Sequence, residues 1–496
     1  MKHVKVCFIA VLHLLLPFIL FAVPVFAEES ILKLSIDDCI EYALTKNLSL
    51  ESSRLGIRLN ELSVIQEESA FDPGLSLNLT RGKSEQPNYT SYIPVSAIES
   101  KTTRLNLTYG QNLTTGANWG VGVYNTLSES NIELEKNYTS YLGVSISQPL
   151  LKGFGKDINR SGIYITKMTG ETTKLDVENS AIDLLFQVLT AYWNLVYALE
   201  SQQVYQLALA QADSLLAYNQ KGLELGVKTE SDVLEAKSAR LARVQDILNQ
   251  KNAIRETGDV LKKLLNISSD DDWSQQFVPT GKLEITPVDL DDDIALQEAL
   301  ERRPEYQRIL TSMKQDEILL EVAENSTLPD LNLNANYRLN SSGTSVGKNI
   351  ENLGEVEAFG WEIGLRLDYP LKNRNSKSAL QKRKIEIKRN KLRLDDLKNQ
   401  IISEIRTSIG RVTINREKVD VATMSVEVNE LKLRMEEERF RNHLSTSYLV
   451  LQYQKDLANA RNLYNLSLKD YTMAVLEYQR SKGTLLKDLN VNIVTR

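Results

Sequence analysis

The sequence predicts a mainly α-helical chain with a membrane β-barrel portion, built as two tandem repeats of helix, strand pair and long helical hairpin. Three observations carry that fold class. Blocks of sequence recur in the same order in both halves. Two helical runs are several times the usual length, and each ends in a short polar or glycine-bearing tip. In each half a proline is followed by residues that alternate between apolar and polar. The elements follow in chain order.

The chain opens "MKHVKVCFIAVLHLLLPFILFAVPVFAEES". Lys2 and Lys5 precede an apolar run that closes on Val25-Phe26-Ala27. That order predicts a signal peptide over residues 1–27, cut after Ala27, and hence an exported protein. Of the two cysteines, Cys7 falls within that segment. Cys39 then stands alone, which excludes an internal disulfide, and it reads as a small apolar residue on a helix face. The net charge of −6 gives no basic footprint for nucleic acid. Only 23 Gly and 11 Pro in 496 residues favour long helices. Beyond the leader, no stretch is expected to reach the ~18 apolar residues of a spanning helix. A membrane crossing is therefore expected to use strands.

The first repeated block is "LSIDDCIEYALTKNLSLE" (34–51), matched by "LDDDIALQEALERRPEYQ" (290–307). "FDPGLSLNLT" (71–80) matches "TLPDLNLNAN" (327–336), with Pro73 and Pro329 standing 256 apart. "YLGVSISQPLLKGFG" (141–155) matches "WEIGLRLDYPLKNRN" (361–375), and the offset falls to 221 between Pro149 and Pro370. The first copy therefore carries an extra 35 residues between its prolines. Two copies of one unit account for this order. The predicted division is a first repeat over 28–266, a linker over 267–289 and a second repeat over 290–496.

Each copy begins with one predicted helix, about 35 residues from Ser35 and about 32 from Ile294. Alternating strands follow, "LSLNLT" and "LNLNANY", each with Leu on one face and Ser or Asn on the other. "YLGVSIS" and "WEIGLRLDY" are the returning strands, so strands are expected within about 74–150 and 330–370. The extra 35 residues read as one further hairpin, "TRLNLTYG" and "ANWGVGVY" around "QNLTTG". Tyr138, Tyr141, Trp361 and Tyr369 suit an interfacial aromatic girdle.

Next come the long helices, about Arg160 to Lys221 and about Ser378 to Phe440. Leu185, Val188, Tyr192, Leu195 and Leu199 form a packing seam at three- and four-residue steps. A return helix of about 40 residues is too short to cover the outgoing one. Together with the first helix it suffices, so each copy should hold one continuous column and one in two pieces. "YNQKGLELGVKTESDV" (218–233) is then the tip of a hairpin. Gly222 and Gly226 end one helix, and Thr229 or Ser231 with Asp232 starts the next. "NHLSTS" is the matching second tip, so the tips are expected at about 222–232 and 440–448.

Four certain strands cannot enclose a useful pore, and open edges are forbidden in lipid. Several chains must pool their strands. The order of elements, with "QPLLKGFG", "LELGVKTESDVLEAK", "FRNHLSTSYLVLQYQ" and "EYQRSKGTLLKDLN", resembles the TolC family of outer-membrane efflux channels. That resemblance implies a homotrimer with a twelve-stranded barrel in outer-membrane lipid of a Gram-negative bacterium, and a helical barrel across the periplasm. It implies a periplasmic adaptor protein and an inner-membrane transporter as partners, with Leu225, Gly226, Val227, Thr229, His443, Leu444, Ser445 and Thr446 as adaptor-docking residues. His443 stands where the family usually has Gly. The family narrows its periplasmic entrance with acidic residues past the second tip. Leu449 and Gln452 occupy those positions here, so Asp232 and Glu235 of the first copy are the acidic candidates.

An enzyme is disfavoured: outside the leader one His and one Cys remain, too few for a histidine metal cluster. No cofactor and no metal are expected. The competing assignment is a periplasmic coiled-coil adaptor or structural protein of a transport complex. It would share the hairpins without the duplicated amphipathic strands.

Overall fold

The computed structural model describes residues 31–89, 92, 94–133, 135–267, 273, 275–343, 345–352 and 358–491. The expected signal peptide lies outside the described residues. After a short strand, β1 (Ile31–Leu34), the chain enters α1 (Ile36–Lys46) and α2 (Leu48–Glu68). Sequence reasoning expects one helix here, and the structure has two. Asn47 interrupts at φ −70°, ψ 120°, and its side chain accepts from the N–H groups of Ser49 and Leu50. It therefore caps the second helix instead of continuing the first. The second half breaks likewise between α5 (Asp292–Arg302) and α6 (Pro304–Asn325). There Pro304 holds Arg303 extended at ψ 121°.

The continuous columns are α3 (Ser161–Glu224), of 64 residues, and α7 (Arg374–Arg441), of 68. Each is followed by a 35-residue return helix, α4 (Glu230–Leu264) and α8 (Ser447–Ser481). The two-piece column forms as expected. Asn60 of α2 donates to the Thr166 carbonyl near the start of α3, while Gln250 of α4 donates to that of Ala198. In one respect the expectation fails: α3 does contain a stretch long and apolar enough to cross a membrane by length and composition. Half of that stretch is buried inside the protein. Leu185, Val188, Leu189, Tyr192 and Leu195 lie in the main core with Ala43 and Leu44 of α1 and Leu261 of α4. It is a core helix.

Cys39 is fully buried in the same core, and burial pushes its thiol up to about 12. The expected linker contributes a strand, β6 (Gln276–Pro279), that pairs in parallel with β1. Tyr192 fastens the pair by donating to the Leu34 carbonyl and accepting from the Gly281 N–H.

Six strands form one antiparallel sheet: β2 (Gly74–Pro87), β3 (Ala97–Asn112), β4 (Asn118–Ser130), β5 (Asn137–Pro149), β7 (Asp330–Gly343) and β8 (Ala358–Asp368), in that spatial order. The added hairpin is β3 and β4. Because opposed residues share a face, register extends one surface across all six strands. Tyr141 departs from the expected girdle. It lies three residues from Tyr138 and hence on the opposite, polar face, where it stacks on Tyr124 with centroids 4.4 Å apart. Gly122 makes room for that pair, since a Cβ there would sit 2.8 Å from the Tyr124 ring.

Candidate functional site: the paired helical tips

The α3–α4 and α7–α8 hairpins end side by side. At the first tip the Gly226 N–H donates to the Leu223 carbonyl at 3.0 Å and the Val227 N–H to that of Gly222 at 2.9 Å. This double bond pattern requires a left-handed residue just past the helix, and Gly226 supplies it at φ +69°. At the second tip the His443 N–H donates to the Phe440 carbonyl at 3.1 Å and the Leu444 N–H to that of Arg439 at 2.8 Å. His443 takes the left-handed position at φ +60°. The turn is the same, closed by a residue with a Cβ.

Gly222 plays another part. It lies inside the last turn of α3, and a Cβ there would come within 2.5 Å of Lys228 Cγ. Its absence lets the Lys228 chain fold back, placing Nζ 4.3 Å from the centre of the Phe440 ring on the other hairpin. That is cation–π distance.

Thr229 starts α4 with a reciprocal cap. Its hydroxyl accepts from the Asp232 N–H at 3.2 Å, while its own N–H and hydroxyl donate to Asp232 Oδ2 at 3.0 and 2.7 Å. The bonds from the Thr229 backbone and hydroxyl hold the Asp232 carboxyl below its ordinary value. Thr446 starts α8 with half of this device. Its hydroxyl accepts from the Leu449 N–H at 3.4 Å, and Leu449 has no carboxylate to return. Ser445 donates to Glu436, which is buried and also lies 3.5 Å from Arg439.

Sequence reasoning missed the residue that joins the tips. Asn219 is fully buried; its amide donates to the Asp232 carbonyl at 3.0 Å and its oxygen accepts from Ser447 at 3.0 Å. The signal was present in the spacing. Leu215, Asn219 and Gly222 continue the α3 seam at steps of four and three, so a polar residue occupies a core position.

Among exposed charged residues such as Glu224, Glu230 and Arg441, the turns also present large apolar side chains. Leu225, Val227 and Leu444 are 69%, 70% and 68% exposed, on the two turns. Of the entrance candidates, Asp232 is engaged in the cap. Glu235 and Gln452 line one groove of about 330 Å³ between α4 and α8, together with Ala208, Arg243 and Tyr448. Gln452 also donates to Asp456 at 3.0 Å.

A family model described as "Outer membrane efflux protein" matches residues 39–266 and 295–484. The chain belongs to the outer membrane efflux protein family. Solved structures of outer-membrane proteins agree in fold. The CmeC outer membrane channel of Campylobacter jejuni has a TM-score of 0.67 at 15% identity, covering 93% of this chain and 90% of that one. The outer membrane protein VceC of Vibrio cholerae has a TM-score of 0.66 at 14% identity, covering 90% and 96%. The MtrE channel of Neisseria gonorrhoeae, in its open state, has a TM-score of 0.64 at 16% identity, covering 91% and 89%. No curated protein sequence matches the chain closely enough to count as a relative. As a family member, it is an outer-membrane efflux channel protein.

Proposed function

We propose that three copies of the chain assemble into the passive outer-membrane conduit of a tripartite efflux or type I secretion system. A periplasmic adaptor docks on the tips, and an inner-membrane transporter supplies the energy. The observation that carries this reading is the pair of matched turns presenting Leu225, Val227 and Leu444 to solvent. Three large apolar side chains held outward by hydrogen-bonded turns form a surface suited to burial against a partner. Gly226, Thr229, His443, Ser445 and Thr446 act beneath it by fixing the turns. The entrance is opened by an outward splay of the hairpins, and Asp232, Glu235, Leu449 and Gln452 lie along that path. The division into repeats over 28–266 and 290–496 is part of the same reading.

Replacement of Gly226 and Thr229 together by tryptophan tests it. Export by cells expressing the variant is expected to be lost, while native mass spectrometry still finds the assembled trimer. Unchanged export would refute the docking role of the first tip.

A further inference from the structure

The hairpin of β3 and β4 stands between β2 and β5 in the sheet. We infer that it is part of the lipid-facing barrel wall, so that each chain contributes six strands and a trimer forms an eighteen-stranded barrel. The inference rests on the trimeric outer-membrane reading above. Register carries it. One row of directly opposed residues runs Leu77, Leu107, Val123, Leu142, Leu339, Phe359, with one residue from each strand. The next row runs Leu75, Tyr109, Val121, Val144, Tyr337, Trp361. Both rows are apolar from edge to edge. On the other face, Asn78, Asn106, Tyr124, Tyr141 and Asn340 stand opposed in a polar row that ends at Ala358 on β8.

A hairpin standing clear of lipid would have no reason to continue the apolar rows through its own Leu107, Tyr109, Val121 and Val123. Length agrees. β3 has 16 residues and β4 has 13, above the ~9–11 a tilted strand needs to cross a bilayer. The apolar window also moves along the sheet, from Leu75–Leu79 on β2 to Phe359–Leu367 on β8, as strands tilted to a membrane require. Among the described residues β2 and β8 each pair on one side only, and an unpaired edge is excluded from lipid. The occupant of each edge is therefore the opposite edge of a second copy.

Barrel diameter grows roughly linearly with strand number, so eighteen strands give a lumen about 1.5 times as wide as twelve. At that size a barrel leaves an aqueous channel.

The test uses the full-length assembled protein in lipid nanodiscs, with Cys39→Ala and one nitroxide-labelled cysteine at a time. Labels at Val121→Cys and Val123→Cys are expected to collide more with oxygen than with a water-soluble nickel chelate. They should match reference labels at Leu77→Cys and Ile363→Cys within about twofold, while Thr126→Cys shows the reverse preference. Water-exposed labels at 121 and 123 beside lipid-exposed references would overturn the assignment of this hairpin alone. Water-exposed references would overturn the barrel reading beneath it. Native mass spectrometry supplies the copy number: three copies support eighteen strands, and two copies would give twelve and refute that count.

Discussion

The two tips share one backbone and differ in what holds it. Both turns carry the same pair of hydrogen bonds and the same left-handed residue. The first uses Gly226 and a two-way cap between Thr229 and Asp232. The second uses His443 and a one-way cap from Thr446 to Leu449. A Cβ in the left-handed region costs roughly 1–2 kcal/mol, and a lost cap interaction costs about 1 kcal/mol. The second tip is thus the weaker of the two by its own local chemistry. It leans on the first through Asn219 and the Lys228–Phe440 contact. A conduit opened at its tips would then yield first at α7–α8.

Breaking the junction should have the largest effect. Asn219→Leu leaves the Ser447 hydroxyl without its buried acceptor, at a cost of about 1–3 kcal/mol. Hydrogen exchange of the tip amides, read by mass spectrometry, should accelerate about 5- to 150-fold at both hairpins. Acceleration at the first tip alone would show that the hairpins are not coupled. Thr229→Ala should come next. It removes both hydroxyl bonds of the cap, leaving only the backbone N–H of residue 229 to Asp232, and is expected to cost about 1–2 kcal/mol, against less than about 1 for Thr446→Ala. Equal exchange changes at the two tips would contradict the asymmetry.

The left-handed positions should respond with opposite signs. Gly226→Ala is expected to destabilise its tip by about 1 kcal/mol, whereas His443→Gly relieves strain and slows exchange at its own tip by a similar factor. Acid should separate the tips further. Asp232 is held below its unfolded value, so its contribution is fully present above about pH 4, the unfolded carboxylate value. It is lost as pH falls through the lower folded value. Exchange corrected for its intrinsic pH dependence should rise at the first tip below about pH 4 and change less at the second. The smallest effect sharpens the comparison. Leu449→Asp completes the second cap and should slow exchange there by a factor of about 2 to 5.

The sequence exposed those elements whose cause is local. Alternation located the strands, the three- and four-residue steps located the long helices, and the offset between Pro149 and Pro370 located the added hairpin. Thr229, Asp232 and Gly226 announced their turn because each residue type has one common use there. What was hidden depends on partners far along the chain. Asn47 caps locally, but its amide is fixed by donating to the Leu264 carbonyl, 217 residues on. Asn219 shows in the sequence only as a polar residue at a seam position; its partners, Asp232 and Ser447, lie on later helices. The Pro304 break was legible from the proline itself and was passed over. The face of Tyr141 was legible too, from its odd spacing to Tyr138.

The pairing of β1 with β6 reaches beyond the mature architecture. Thr280 donates to the Leu34 carbonyl across 246 residues of intervening chain. An exported polypeptide emerges amino end first, so Ile31–Leu34 must wait, unpaired, until the whole first repeat and the start of the linker have arrived. Such distant pairing forms slowly. Leu34 and Phe277 both lie in the main core, so that core is incomplete until this late pairing closes.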